Sequence, residues 1–372
     1  MKLLSACFVL FFSFALLSGC NKDNNPISPS GPAWTQGQGI QAYGISGFGA
    51  IGQNLVAGSS CAPCSQAYVF LSADNGLTWN LQGSFHVNNH VPNTRLYIYP
   101  QEAFIAHGGE LYLGIQSTGN GSIYESADNG MTWTEKDTSF TNAANCFAII
   151  NNTIFVGTLH GVFRSTDGGT SWKPTGTVAM SEPVANLAVI GSVLFAGTNG
   201  VGIYRSTDLG ESWAKVNPTS SDFRGLATIG NILFAAAFGD STTGGVFVST
   251  DLGESWKQSD AGLSDKGVDA LCASATELFA GTSRSVFAST DQGVTWKDIS
   301  VGVGLPTVGT LSVSGLYLFV GTSSGVWRYS LSGLTGYAGN RIDKPGYELT
   351  KFLNPFNQSI SHFIDYKAAS FK

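Results

Sequence analysis

The stretch Ser206 to Trp213, reading Ser-Thr-Asp-Leu-Gly-Glu-Ser-Trp, returns with small variations at Ser72 to Trp79, Ser126 to Trp133, Ser165 to Trp172, Ser249 to Trp256 and Ser289 to Trp296. The Asp to Asp intervals are 54, 39, 41, 43 and 40 residues. Such a period constrains the fold more than any other feature, because one short unit cannot bury a hydrophobic face alone and has to stack against its own copies. Length alone predicts two or three domains for 372 residues, and the repeat overrides that expectation.

The fixed residues have separate physical jobs. An Asp side chain accepts hydrogen bonds from backbone N–H groups a few residues on and closes a tight turn, and the Gly two positions later tolerates a positive φ. The Thr or Ser and the Trp that follow re-enter a strand, so each copy reads as a hairpin turn whose exit strand buries an indole. The pattern Ser-x-Asp-x-Gly-x-Thr/Ser-Trp resembles the Asp-box, or BNR, repeat of sialidases, xyloglucanases, sortilin-type receptors and photosystem II assembly factors. That resemblance is specific for architecture and nearly mute about chemistry.

The rest of each unit aligns around this turn. Upstream stands a β-branched plus aromatic pair: Val69-Phe70, Ile123-Tyr124, Val162-Phe163, Ile203-Tyr204, Val246-Phe247, Val286-Phe287 and Val326-Trp327. Before it runs an apolar strand such as Phe155-Val156-Gly157-Thr158, and before that a further strand carrying Phe147, Leu187, Leu226, Leu271 or Leu311. Four short strands per unit, 47 glycines and only 12% charged residues predict an all-β chain, a seven-bladed β-propeller of four-stranded blades. The seventh unit, Thr310 to Leu331, supplies three strands and no Asp-containing turn. Ala33-Trp34-Thr35-Gln36 looks like Thr132-Trp133-Thr134-Glu135, so the N-terminal strand is expected to complete blade seven, close the ring and remove its exposed sheet edges.

Outside the repeat, Met1 and Lys2 precede an apolar run, Leu3 to Leu17, too short for a membrane span and shaped like a secretory signal over residues 1–19. Leu17-Ser18-Gly19-Cys20 resembles a bacterial lipobox, which implies cleavage before Cys20 and a diacylglycerol on its sulfur. An ordinary signal peptide is the alternative; either way the mature chain leaves the cytoplasm, for the outer membrane or cell surface or as a secreted protein. Residues 20–32, rich in Asn, Pro, Ser and Gly, read as a tether, residues 33–331 as the propeller and residues 332–344 as a Gly-rich linker. In residues 345–372, Pro345-Gly346-Tyr347-Glu348-Leu349 followed by Asn354-Pro355-Phe356-Asn357 resembles the opening of the type A sorting domain of type IX secretion substrates. The sequence covers about half of such a domain, and a disordered tail is the other reading.

In a ring of this connectivity the repeated turns and first hairpin turns share one face, and the second hairpin loops and blade-to-blade loops share the other, where propellers usually act. Asp74, Asp128, Asp167, Asp208, Asp251 and Asp291 are therefore expected to be scaffold; a catalytic group is needed once, not six times. The Arg-Ile-Pro motif that carries the first sialidase arginine does not occur. Arg164, Arg205 and Arg328 occupy one repeated strand slot, also filled by Leu71, Glu125, Val248 and Ala288, which reads as a tolerant surface position. Arg95, Arg224 and Arg284 fall on the loop face. A xyloglucanase-type hydrolase needs two carboxylates flanking the scissile bond; Glu182, Asp222, Asp240, Asp265 and Asp269 sit on suitable loops, but that family places sugar between two propellers. Phosphate-loop, nucleophile-elbow and zinc-protease spacings are absent from the sequence, and no cofactor is implied. With 19 Lys and Arg against 25 Asp and Glu, the chain has no basic stripe for nucleic acid. The only membrane contact expected is through the lipid.

Cys61-Ala62-Pro63-Cys64 lies in a loop-face hairpin and reads as a small disulfide-closed loop, since a metal site would want a second pair. Haem attachment would want a histidine where Ser65 stands. Cys146 and Cys272 fall on inner strands as buried thiols. The long first interval places extra residues between Asn80 and Gln101, in the loop joining blades one and two, and insertions in repeat proteins often map to the binding face. His86, His90, Arg95, Tyr97 and Tyr99 there group aromatic platforms with hydrogen-bond donors, as sugar or peptide recognition requires. A decorative edge-covering loop is the bland alternative; a His86–His90 metal pair lacks a third ligand. The sequence thus reads as an exported, non-catalytic propeller whose loop face, including Arg224 and Arg284, binds a protein or polysaccharide. The alternative is a glycoside hydrolase on the same fold.

Overall fold

The computed structural model describes residues 34–334 apart from 42–43, 62–65, 87–103, 118–119, 137–141, 143, 177–181, 217–221 and 240–242. These residues form seven four-stranded antiparallel sheets. The chain opens with β1 (Trp34–Gln36). Blade 1 contains β2 (Ile45–Ile51), β3 (Asn54–Cys61), β4 (Gln66–Ser72) and β5 (Asn80–His86); blade 2 contains β6 (Phe104–His107), β7 (Glu110–Ser117), β8 (Asn120–Ser126) and β9 (Thr134–Glu135). Blade 3 is β10 (Ala144–Ile150) to β13 (Lys173–Pro174), blade 4 is β14 (Val184–Ile190) to β17 (Ala214–Lys215), and blade 5 is β18 (Asp222–Ile229) to β21 (Lys257–Gln258). Blade 6 is β22 (Val268–Ala273) to β25 (Lys297–Asp298), and blade 7 joins β26 (Val308–Ser314), β27 (Tyr317–Thr322) and β28 (Gly325–Ser330) to β1.

The first strand of each blade is innermost and packs against the first strands of both neighbours, with β2 between β26 and β6, so the sheets close into a ring. Seams between blades carry the core. Phe155, Phe195, Phe234, Phe279 and Phe319, at equivalent positions of five second strands, are all buried. Each faces a neighbouring blade in a cluster that mixes residues of two blades, as where Phe319 meets Phe48 and Trp79. This explains the near-continuous apolar runs of the inner strands: both faces of the sheet are covered.

The repeated turn is held by one hydrogen-bond network. At Asp208, Ser206 Oγ donates to Oδ1 at 2.7 Å and accepts from Gly210 N–H at 2.8 Å. Ser212 closes the turn, its N–H donating to Oδ1 at 2.9 Å and its hydroxyl to Oδ2 at 2.5 Å. The serine is buried in all six copies. Gly210 has φ of 87°, as expected; the residue before it is also left-handed, and in two copies it is a leucine, Leu209 and Leu252, each at φ 57°. That conformation is rare for a bulky side chain, and its consequence is to turn the carbonyl outward, toward the preceding blade.

Those carbonyls have partners. Arg164 of blade 3 donates to Leu209 O at 2.9 Å, Arg205 of blade 4 to Leu252 O at 3.0 Å, and Arg328 of blade 7 to Asn75 O of blade 1 at 2.8 Å. Arg164 also pairs with Glu211, and Arg205 with Glu254 at 2.7 Å. The slot that the sequence presents as a tolerant surface position is therefore an inter-blade strut. Blade 2, with Glu125 in the slot, reaches the same point differently: the Tyr112 hydroxyl lies 3.2 Å from Gly168 O of blade 3.

The repeated indoles are a second set of struts. Trp213, Trp256, Trp296 and Trp34 donate Nε1–H to Thr175 Oγ1, Val216 O, Ser259 O and Ile299 O respectively, each acceptor lying three residues after the tryptophan of the preceding blade. Trp79 and Trp296 are buried, whereas Trp34, Trp133, Trp172, Trp213 and Trp256 are half-buried. The N-terminal strand takes the expected place, Trp34 pairing with Tyr329 and Thr35 with Arg328. At the closing seam the residue three after Trp34 is Gly37, where a Cβ would come within 2.6 Å of Trp79 Nε1. Beyond β28 the chain makes a short 3₁₀ turn, Leu331–Gly333.

Candidate functional site

Every inner strand except the shorter β6 begins with a β-bulge at its loop-face end. The extra residues are Ser46, Asn145, Ala185, Arg224, Asp269 and Gly309, one per blade around the mouth of the ring. A bulge leaves its residue outside the ladder and re-aims the side chain. In blades 5 and 6 this brings opposite charges together. Arg224 Nη1 donates to Asp269 Oδ1 at 2.7 Å and Nε to Asp222 Oδ2 at 3.0 Å, while the guanidinium lies 3.6 Å from the centroid of the Phe238 ring. Phe238 ends β19 (Ile232–Phe238), directly opposite Asp222 in the ladder, and is 41% exposed.

The electrostatics of the group are uneven. Burial raises the Asp269 carboxyl above its ordinary range, against the stabilising Arg224 charge and with further repulsion from Asp265 and Asp222. Asp222 Oδ1 is shielded from solvent and has no hydrogen-bond partner among the described residues, and the same is true of Asn145 Oδ1 in blade 3. Asn145 Nδ2 is engaged with Val184 O of the next blade at 3.0 Å. Beside the cluster, Lys266 Nζ pairs with Asp260 Oδ2 at 2.8 Å, and Asp265 Oδ1 accepts from Gly267 N–H at 3.0 Å. This sector of the mouth thus offers a stacked guanidinium and a half-exposed aromatic edge.

Of the residues singled out in the sequence, Arg224, Asp222 and Asp269 lie in this cluster, with Asp265 beside it. Arg284 is exposed in the β23–β24 loop (β23, Leu278–Thr282; β24, Val286–Ser289), and Glu182 is half-buried before β14. His90, Arg95, Tyr97, Tyr99, Asp240, Cys64 and Cys20 lie outside the described residues, as do residues 335–372. The first seven residues of the long interval between blades 1 and 2 are not loop but β5, an outermost strand of seven residues where β9, β13, β17, β21 and β25 have two. His86 ends β5 opposite Gln66, and Cys61 ends β3 opposite the same Gln66 from the other side. The ladder therefore places Cys61 and His86 on either side of Gln66. Cys146 is buried and Cys272 half-buried. Among the described residues no group of three or more His, Cys, Asp and Glu could hold a metal ion.

The partnership of Arg224 with Asp222, Asp269 and Phe238 is what sequence reasoning missed. One signal was available: Arg224 and Asp269 occupy the same repeat position, two residues before the aligned Leu226 and Leu271, in consecutive units and with opposite charge.

The six repeated aspartates are on the opposite face and fully engaged. Hydrogen bonds from the Thr or Ser side chain and N–H four residues on hold Asp128, Asp167, Asp208 and Asp251 down at about 2. Such carboxylates are poor proton donors or acceptors near neutral pH.

A single ring of seven four-stranded blades with a built loop face places the chain among the seven-bladed β-propellers. No protein-family model and no curated protein matches the sequence. Solved structures do resemble it. The GH74 xyloglucanase from Xanthomonas campestris superposes with a TM-score of 0.60 at 16% identity over 82% of this chain, and the chain spans 54% of that protein. YCF48, in a structure described as bound to D1 peptide, gives 0.60 at 18% identity over 83% of this chain and 98% of its own. YCF48 from Cyanidioschyzon merolae gives 0.59 at 14% identity, covering 80% and 98%.

Proposed function

We propose that this is an exported, lipid-anchored, non-catalytic propeller that binds a peptide or polysaccharide chain at its loop face, with Arg224 and Phe238 at the centre of the site. One observation carries the reading. A glycosidase needs its two carboxylates separated by about 5 to 9.5 Å of open space for sugar or water; here the arginine fills the space between Asp222 and Asp269 and ties them together. The same guanidinium, stacked on a half-exposed ring, is a surface on which a peptide group or a sugar can lie. The likeness to YCF48 supports the reading further, since there one propeller is nearly the whole molecule and the structure's description includes a bound peptide, whereas the xyloglucanase is almost twice as long as the matched part.

The Asp-box reading of the repeated turn agrees with its hydrogen bonds, and the anchor reading rests on Leu17-Ser18-Gly19-Cys20. Export through the C-terminal segment, residues 345–372, is a further part of the proposal. The hydrolase reading keeps one supporting observation, the raised Asp269 carboxyl, which has the character of a general acid. Both are tested by presenting the mature chain with peptide and glycan arrays and with chromogenic glycosides. Binding without turnover, weakened by Arg224→Ala, is expected. Turnover that disappears in Asp269→Asn would establish the hydrolase instead.

A further inference from the structure

The repeat allows the face that carries the Asp-containing turns to be compared blade by blade. The residue before the Thr or Ser of each turn is exposed, and in chain order it is Leu77, Met131, Thr170, Glu211, Glu254 and Val294. The second residue of each first hairpin turn is exposed on the same face: Gln53, Gly109, Asn152, Ser192, Asn231, Thr276 and Leu316. The large apolar choices fall in blades 1, 2, 6 and 7, which are consecutive around the closed ring. Leu77, Met131, Val294 and Leu316 are 41, 54, 65 and 53% exposed. No turn geometry demands them, because Glu211 and Glu254 fill the same position in blades 4 and 5. Leu209 and Leu252 of those two blades instead pack into the seams.

The chain enters and leaves the propeller in the middle of this apolar sector. Because β1 runs antiparallel to β28 with Trp34 opposite Tyr329, residue 34 stands at the end of blade 7 that bears the hairpin turn. The last strand finishes at that end too, where Leu331 N–H donates to Leu316 O at 2.9 Å. Everything before residue 34 therefore joins the body beside Leu316. The roughly 13 residues between Cys20 and Trp34 reach at most about 45 Å fully extended and about 20 Å as a flexible chain.

We propose that the turn-bearing face of blades 6, 7, 1 and 2 rests on the lipid bilayer that holds Cys20, with Leu77, Met131, Val294 and Leu316 at the boundary between headgroups and acyl chains. This rests on the lipid-anchor reading of Cys20. The four exposed apolar side chains stand one per blade on consecutive blades of one face, and a short tether attached in that sector keeps it at the membrane at high effective concentration. Asp74, Asp128 and Asp291 in this sector already accept hydrogen bonds from their own turns, which lessens the loss when water is displaced. The sector carrying Glu211 and Glu254 stays in water, and the loop face with Arg224 points away from the membrane toward incoming ligand.

The test uses the mature chain from residue 20 with an N-terminal hexahistidine tag, held on phosphatidylcholine vesicles that contain nickel-chelating lipid and a diazirine-bearing phosphatidylcholine. After illumination, peptide mass spectrometry is expected to find lipid adducts concentrated at Leu77, Met131, Val294 and Leu316, and not at Glu211, Glu254 or the loop-face Val301. Replacing all four apolar residues with Glu should abolish those adducts at an unchanged melting temperature. Adducts spread evenly around the ring, or on the loop face, would overturn the proposal. So would an arc that is labelled only after residues 335–372 are removed, because the chain's own C-terminal segment would then be its cover. The tag stands in for the lipid, so this experiment reads the face alone. The intact mass of native protein separately reads acylation, and an unmodified Cys20 would overturn the anchor reading.

Discussion

The two faces of the ring are built from the same repeat and treat it oppositely. On one, six turns reproduce a single hydrogen-bond network, down to Ser Oγ accepting the same glycine N–H at 2.7 to 2.8 Å. On the other, the bulged position that opens the inner strands holds Ser46, Asn145, Ala185, Arg224, Asp269 or Gly309, no two alike. Selection for a stable seam repeats a solution at each blade, whereas a site is needed once and is made by departing from the pattern. The comparison teaches where to look in any repeat protein: identity between units marks the scaffold, and divergence at an equivalent, geometrically special position marks the site.

The comparison can be broken from the scaffold side first. Trp296→Ala removes a buried indole and its bond to Ser259 O, and should cost about 3 to 5 kcal/mol in urea unfolding without altering ligand affinity in the folded fraction. Ser206→Ala leaves the Gly210 N–H buried without its acceptor and should cost about 1 to 3 kcal/mol; an unchanged denaturation midpoint would show that the network is decoration. Acid supplies a third test. Asp128, Asp167, Asp208 and Asp251 sit at about 2 in the fold, below the ordinary value of about 3.9 in an unfolded chain. Their contribution is therefore complete above about pH 4 and is lost as pH falls through about 2. Converting all four to Asn should flatten the melting temperature across that window.

Much of this scaffold was legible in the sequence. The strand count, the seventh unit completed by Trp34 and the role of the six aspartates follow from period and turn chemistry, which are local. The arginine struts were not. Arg164, Arg205 and Arg328 share their slot with Leu71 and Ala288, so the position looks permissive, and their acceptors are backbone carbonyls in the next blade, turned outward by left-handed residues such as Leu209. No residue letter encodes a carbonyl's direction. The candidate site was half legible: Arg224, Asp222 and Asp269 all appear as loop-face polar residues, but their union depends on a bulge, and the stacking partner Phe238 reads as one more strand residue.

The smallest expected effect on stability is the largest on function. Arg224 is about a third exposed, and its ion pairs with Asp222 and Asp269 are shared with solvent, so Arg224→Ala should cost about 1 kcal/mol or less. The decisive measurement is titration calorimetry of wild type, Arg224→Ala and Asp208→Ala against the tightest-binding peptide or oligosaccharide from the arrays, each with a thermal melt. The account predicts that Arg224→Ala loses binding while melting close to wild type, and that Asp208→Ala binds normally while melting lower. Binding that survives in Arg224→Ala, or vanishes in a folded Asp208→Ala, would contradict it.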